Sequence, residues 1–212
     1  AALEIESHII KTNILGKFNN YNLLAGLTVA RALGFDIEEV TTCHISGVPG
    51  RQEFIDGQQK FKILVDYAPE PQSLKHLYKA IELLPKQRLI HVIGSCGGGR
   101  DIVRQPILGE LAGQKANIVI VTNEDPYDDD PQKIIDNVAT GAIKAGKELD
   151  KDLFKILNRR KAIKKALILA EDNDLVLITG KGAEQFICGA NGKKIAHDDR
   201  QVVRDLLKIF KK

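Results

Sequence analysis

An α/β protein built on a doubly wound, mostly parallel sheet is the architecture this sequence predicts, and three observations point to it. Segments 61–66 (FKILVD), 88–93 (RLIHVI), 118–122 (IVIVT) and 175–179 (LVLIT) are almost continuously apolar, as strands buried on both faces are. Stretches of helical period at about 73–84, 105–114, 132–145 and 158–171 separate them, and strand–helix alternation of this kind builds βαβ units. Each apolar segment also runs into a polar turn rich in glycine or acid. In an open parallel sheet a ligand sits beyond the carboxyl ends of the strands, so the four turns predict one composite site.

The elements follow in order. Residues 3–10 (LEIESHII) alternate apolar and polar, the mark of a half-buried strand. Gly16 breaks that pattern. Phe18, Leu23, Leu24, Leu27 and Ala30 then fall at helical spacing, and Gly34 closes the helix as a C-cap. Asp36 is expected to cap a second short helix over 37–45. The turn cluster Gly47-Val48-Pro49-Gly50 marks a domain boundary, dividing the chain into 1–51 and 52–212. Beyond the last apolar strand, 186–188 and 194–196 flank Asn191-Gly192, a two-residue hairpin signal. Asp198 with Gln201 forms a capping pair for a final amphipathic helix ending near Phe210. There is no internal repeat and no low-complexity tract.

Composition removes several function classes. Net charge is +3, from 31 basic and 28 acidic side chains that are closely mixed, so no basic face for nucleic acid is expected. Arg159-Arg160-Lys161 with Lys164-Lys165 reads as a solvated helix face. No apolar run approaches the ~20 residues of a membrane span, and no signal peptide opens the chain. Cys43, Cys96 and Cys188 are odd in number and far apart, which indicates neither a disulfide framework nor a zinc site and fits a reducing cytoplasm. His8, His44, His76, His91 and His197 share no metal-ligand spacing. His91, inside a strand, is expected to be a satisfied core residue. The absence of methionine implies a chain cut from something longer.

The four turns carry the chemistry. Glycines 94, 97, 98 and 99 let backbone N–H groups approach an anion, and Arg100 beside them can grip a carboxylate or phosphate with two hydrogen bonds; a plain tight turn is the alternative. Cys96 in that loop is expected to be a small turn residue, since no base is placed for a nucleophile. Segment 123–131 holds five acids, Glu124, Asp125, Asp128, Asp129 and Asp130. Some favour the following helix N-terminus, where Pro131 suits the first turn. The surplus either meets a cationic ligand group or is merely solvated. In Gly180-Lys181-Gly182-Ala183-Glu184 the lysine suits an anion and the glutamate an amine. No G-x-x-x-x-G-K-[ST] loop occurs, and no G-x-G-x-x-G follows the first strand, which disfavours a dinucleotide dehydrogenase.

Taken in order, these segments resemble the Mur ligases, most closely the UDP-N-acetylmuramoyl-tripeptide synthetases, nearly end to end. Gly16-Lys17-Phe18-Asn19-Asn20-Tyr21-Asn22 is similar to G-x-F-N-x-x-N, and Gly47-Val48-Pro49-Gly50-Arg51-Gln52-Glu53 to G-V-x-G-R-x-E. Val65-Asp66-Tyr67-Ala68 resembles V-D-Y-A-H with Pro69 in place of the histidine. Gly97-Gly98-Gly99-Arg100-Asp101 resembles G-G-x-R-D. Asp125-Pro126-Tyr127 stands where D-N-P-R would be, Gly180-Lys181-Gly182-Ala183-Glu184 where G-K-G-H-E would be, and Asp199-Arg200 fits a closing D-R.

The resemblance implies an ATP-dependent amide ligase of peptidoglycan synthesis. Such enzymes activate a carboxylate as an acyl phosphate, which the amino group of an incoming amino acid attacks. Residues 1–51 would be the C-terminal tail of the central ATPase domain, and 52–212 the Rossmann-like, amino-acid-binding domain. By position, Asn19, Asn22, Arg51 and Asp66 would bind ATP, with Asp66 as a ribose or hinge anchor. Arg100, Asp101, Asp125, Tyr127, Gly180, Lys181 and Glu184 would bind the amino acid. The partners implied are a UDP-N-acetylmuramoyl-peptide and a free amino acid, in the cytoplasm. The phosphate loop, the catalytic groups and the carboxylates for Mg2+ are expected upstream of Ala1, so this polypeptide is not expected to turn over alone. Segment 46–53 would be the closure hinge, with Gly47 and Gly50 absorbing the angle change.

Departures from the family pattern refine the expectation. Tyr127 replaces the arginine that grips the distal carboxylate of meso-diaminopimelate, and a phenol cannot supply that charge. Asp125, where asparagine is usual, adds a negative charge. A basic amino acid such as lysine is therefore expected in preference to meso-diaminopimelate. The alternative function is a non-catalytic module of the same fold that binds an amino acid or a nucleotide.

Overall fold

Backbone pairing in a computed structural model, which describes residues 2–5, 8–11, 15–36 and 47–210, gathers the apolar strands into one six-stranded sheet. Its order in space is β3 (Glu53–Phe54), β4 (Lys62–Val65), β8 (Leu175–Ile178), β5 (Leu89–Ile93), β6 (Ile118–Thr122), β7 (Leu153–Ile156). All neighbours are parallel except β3, which lies antiparallel on β4. The doubly wound, mostly parallel sheet is therefore present, with two strands the periodicity did not reveal. Both are edge strands. In β7 only Leu153 is buried and Lys155 interrupts the run, so no continuous apolar stretch announces it.

Helices cover both faces. On one lie α2 (Pro71–Glu82), α3 (Arg104–Lys115) and α4 (Pro131–Lys144), and on the other α5 (Arg159–Leu169) and α6 (Asp199–Phe210). The pleat sends successive side chains to opposite faces, and the two cores follow it. Leu64, Val119, Val121, Leu175 and Leu177 meet Leu74, Leu108 and Val138. Ile63, Val65, Ile90, Val92, Ile120, Val176 and Ile178 meet Ile163, Val203 and Leu206. Helices expected at 73–84, 105–114, 132–145 and 158–171 lie within about two residues of these bounds, the scatter usual at helix ends.

Outside the sheet, the expected single strand 3–10 is a hairpin. β1 (Ala2–Ile5) pairs antiparallel with β2 (His8–Lys11), and alternation continues through a reversal without marking it. Helix α1 (Phe18–Ala32) is present; the short helix expected at 37–45 lies outside the described residues. β9 (Phe186–Cys188) and β10 (Lys194–Ala196) form the expected hairpin. Its turn is longer than two residues: Gly189 N–H donates to Lys193 O at 2.7 Å around Ala190–Gly192, with Asn191 at φ 55°. Asp198 Oδ1 accepts from the backbone of Arg200 and Gln201 at 2.9 and 3.3 Å. Gln201 does not return the bond; its amide donates to Asp205 instead.

α3 and α4 touch backbone to backbone. A Cβ on Gly109 would lie 1.7 Å from Val138 O, and one on Gly141 1.8 Å from Pro106 O. Gly109→Ala is expected to cost about 1–3 kcal/mol by overpacking, read from urea unfolding. Gly26→Ala in α1, where a Cβ meets nothing within 4 Å, is expected to be neutral or to stabilise by up to about 1 kcal/mol. Coincident midpoints for the two variants would contradict this packing.

Candidate functional site

The strands whose turns were expected to converge, β4, β8, β5 and β6, are immediate neighbours in the sheet. Their carboxyl ends therefore share one edge. β8 is last of the four in the chain yet sits between β4 and β5, which brings the 180–184 turn against the 66–69 turn.

A cavity of about 550 Å³ opens at this edge between α1, the 48–52 turn and the start of α2. Asn19, Asn22, Arg51 and Asp66 all line it, although they come from three separate segments. Asn19 is the hub of its α1 wall. Its Nδ2 donates to Leu15 O at 2.6 Å and to Gln52 Oε1 at 3.4 Å, and its Oδ1 accepts from Asn22 Nδ2 at 2.8 Å. Asp66 Oδ2 accepts the Gln52 N–H at 2.8 Å. This bond pins the 48–52 turn, and Gln52 sits at φ 48°, a conformation L residues rarely adopt. Burial raises the Asp66 pKa, partly offset by the Gln52 N–H and the Arg51 charge. Arg51 is exposed, with its guanidinium 4.4 Å from the centre of the Tyr67 ring.

Gly50 differs from its expected role. It has φ +65°, and a Cβ there would lie 2.1 Å from Ala183 N, so Gly50 is a contact point against the 180–184 turn. Gly47, at φ +103°, has nothing within 4 Å of an added Cβ. Of the two glycines, only Gly47 has open space where a Cβ would stand.

The turns of β8, β5 and β6 form a second cluster. Lys181 is 1% exposed; its Nζ donates to both oxygens of Asp125 at 2.8 Å and pairs with Glu184 Oε2 at 2.8 Å. Burial alone would lower its pKa, but the two carboxylates hold it above the usual lysine value. Lys181 is thus an internal cation, not one presented to an anionic ligand as its motif implied. Asp125 also accepts the Cys188 N–H at 2.7 Å. Gly180 makes room for Glu124: a Cβ there would fall 2.1 Å from Glu124 Oε2.

The acids of segment 123–131 have a different explanation from a surplus awaiting a cation. Glu124 is buried and accepts the Cys96 S–H at 2.9 Å. Asp128 accepts from Asn191 N–H, Asp129 from Gly98 N–H, and Asp130 caps α4 through Gln132 N–H. With Asp125 on Lys181, all five are engaged within the protein. Burial raises the Glu124 carboxyl and drives the Cys96 thiol far above its ordinary range, so Cys96 is a protonated turn residue. Arg100 is exposed and makes no hydrogen bond or ion pair among the described residues. Tyr127, at φ 51°, packs its ring on Gly98. Asp101 turns away to accept the Val103 N–H at 3.0 Å, an anchor for the start of α3.

Sequence reasoning missed Arg159, which is 2% exposed and not on a solvated face. Its guanidinium bonds Asp199 through both carboxylate oxygens at 2.8 and 2.7 Å, Thr179 O at 2.7 Å and Asn123 O at 3.1 Å. Nothing in the run Arg159-Arg160-Lys161 distinguishes the buried cation from its neighbours. Tyr67 and Gln52 were also missed as cavity residues, although they sit inside motifs already noted. His91 is the satisfied core residue expected, bonded to Tyr78 OH at 2.8 Å and Thr179 Oγ1 at 2.9 Å. Among the described residues no group of three or more His, Cys, Asp or Glu could hold a metal ion. No helix among them is long and apolar enough to cross a membrane.

Comparison with known proteins matches residues 50–182 to the family described as Mur ligase, glutamate ligase domain. A UDP-N-acetylmuramoyl-L-alanyl-D-glutamate--2,6-diaminopimelate ligase of Fusobacterium nucleatum is 37% identical over 92% of this chain and 39% of its own length. A UDP-N-acetylmuramyl-tripeptide synthetase of Roseiflexus sp. is 39% identical over 84% of this chain and 35% of its own. A solved diaminopimelate ligase superposes with a TM-score of 0.69 at 31% identity, covering 97% of this chain and 41% of that one. The chain therefore spans about two fifths of the length of such relatives.

Two measurements check the site's framework. Arg159→Met is expected to destabilise by about 3–5 kcal/mol, because it leaves Asp199 buried without its cation; a loss below about 1 kcal/mol in urea unfolding would contradict that. Burial lowers the His91 pKa from 6.5 to about 3, so folding favours the neutral ring. That stability is complete above pH 6.5 and is lost as the pH falls toward 3. His91→Gln is expected to flatten the decline between pH 7 and pH 4, and parallel pH profiles for the two proteins would refute the assignment.

Proposed function

The chain belongs to the Mur ligase family, and from that premise we propose that it is the C-terminal part of an ATP-dependent ligase that adds an amino acid to a UDP-N-acetylmuramoyl-peptide. One observation carries this reading: Asn19, Asn22, Arg51 and Asp66 line a single cavity of about 550 Å³ at the carboxyl edge of the sheet. That volume lies within the range of small-molecule sites, and the lining offers amide groups, one guanidinium and one carboxylate. ATP fits this donor set, with Arg51 toward the phosphates and Asp66 toward the ribose or holding the turn. ATP supplies the phosphoryl group that activates the acceptor carboxylate. This chain's residues bind and orient the nucleotide.

Residues 1–51 are read as the tail of the ATPase domain and 52–212 as the amino-acid-binding domain. Helix α1 supports the division, because it exposes Tyr21, Leu24 and Val29, with Leu33 just past its end, as a helix from another core would. On this reading the phosphate loop, the catalytic groups and the Mg2+ carboxylates belong to that other domain. The protein works in the cytoplasm, and the isolated chain does not turn over.

For the amino acid, Arg100 is the unengaged cation for the α-carboxylate. Glu184, whose side chain is 44% exposed, is the member of the Lys181 cluster open to a distal ammonium group. Asp125, Gly180 and Lys181 hold that carboxylate in place. Tyr127 offers no charge for a second carboxylate, which supports lysine over meso-diaminopimelate, although relatives carry the latter in their names.

Titration of the chain with ATP is expected to show saturable binding that Arg51→Ala weakens about tenfold or more, the worth of one charged hydrogen bond. Unchanged affinity would remove Arg51 from the site. In a full-length ligase assay, lysine is expected to turn over faster than meso-diaminopimelate, and the reverse order would overturn the substrate assignment.

A further inference from the structure

Arg51 presents a physical problem. Its side chain is exposed, and among the described residues it makes no ion pair with a carboxylate; its one hydrogen bond is a 3.3 Å contact to Gly50 O. A free arginine samples many rotamers, and that freedom is lost when it grips an anion. Two neighbours restrict it. The Tyr67 ring lies under the guanidinium at 4.4 Å. On another side is the backbone of Gly182, where a Cβ would stand 2.8 Å from Arg51 Nη1 and 3.1 Å from Tyr67 Cβ. Arg51 therefore occupies a slot bounded by an aromatic ring and a bare backbone.

Tyr67 is itself well held. Its carbonyl accepts the Gly180 N–H at 2.8 Å, and its neighbour Asp66 is tied to Gln52. Its ring lines the cavity; burial raises the pKa of its phenol, and the charges of Glu184 and Glu124 add to this. One side chain thus borders both the nucleotide cavity and the Lys181 cluster.

We infer that Tyr67 is a positioning residue that holds the Arg51 guanidinium on its ring, aimed at the phosphates of the bound nucleotide, with Gly182 keeping the other side of that slot clear. The inference rests on the nucleotide reading above and extends it to a residue with no contact to the phosphates of its own. It makes a differential claim. Losing the ring weakens the phosphate contact and leaves the nucleoside contact alone, because Asn19, Asn22 and Asp66 do not depend on Tyr67's ring.

Titration of the chain with ADP and, separately, with adenosine tests it. The wild type is expected to prefer ADP. Tyr67→Leu is expected to weaken ADP about fivefold, within the range for a lost cation–π contact, and adenosine less than about twofold. Tyr67→Phe, which keeps the ring, is expected to restore the ADP preference. Equal weakening of both ligands by Tyr67→Leu, or no weakening of either, overturns the positioning role while the nucleotide site stands. Binding of neither ligand by the wild type overturns the nucleotide reading and the role with it. Melting curves on each variant separate a folding defect from these outcomes, and if Tyr67→Leu does not fold, the ADP-to-adenosine ratio of Tyr67→Met decides alone.

Discussion

The Arg159 guanidinium, sealed from water, gathers groups that no neighbouring pair of strands would bring together. It donates two bonds to Asp199 at the start of α6, one to Thr179 O at the end of β8 and one to Asn123 O at the end of β6. A buried ion pair is not in itself a gain over well-packed apolar residues. Its effect here is directional. Desolvated charges tolerate few arrangements, so the carboxyl ends of β6 and β8 and the cap of α6 are held in one. His197 adds a further bond to Asp199 at 2.8 Å, and the Asp199 carboxyl is drawn down to about 2: burial opposes this, and the Arg159 charge outweighs it. Each turn that carries the candidate chemistry hangs from this frame or from the strands beside it.

On that frame, charge is used mostly for construction. Segment 123–131 ties the glycine-rich loop through Asp129, the β9–β10 hairpin through Asp128, and Lys181 through Asp125. Among the described residues, the charged groups of these turns that stay open to solvent are few: Arg100, the outer face of Glu184, and Arg51. This is the economy expected of a preorganised site. Most polar groups satisfy one another, and a small remainder faces the solvent where a substrate would arrive.

The two halves of the site meet at glycine contacts. Gly50 lies against Ala183 and Gly182 against Gly50 O, each closer than any Cβ would allow. The 48–52 turn and the 180–184 turn are therefore packed backbone against backbone. Tyr67 lies at the same junction, with Arg51 on its ring and its carbonyl accepting the Gly180 N–H.

Much of this was legible in the sequence. Apolar runs located β4, β5, β6 and β8, because strands buried on both faces need apolar residues at nearly every position. Helical spacing found the helices, and turn residues marked the carboxyl edge. The two edge strands escaped, since half-exposed strands carry no such run. Local pattern also cannot report which strands become neighbours. The placing of β8 between β4 and β5 depends on pairing between segments far apart in the chain, Lys62 with Leu175 and Leu89 with Leu175. For the same reason Arg159 read as a surface cation, Lys181 as a cation offered to an anionic ligand, and the five acids as an excess. A charge is buried or exposed according to partners that only the folded chain supplies. The sequence determined the layers, the periodicities and the residue types at the edge of the sheet; the tertiary structure decided which of those charges hold the site together and which remain to meet a ligand.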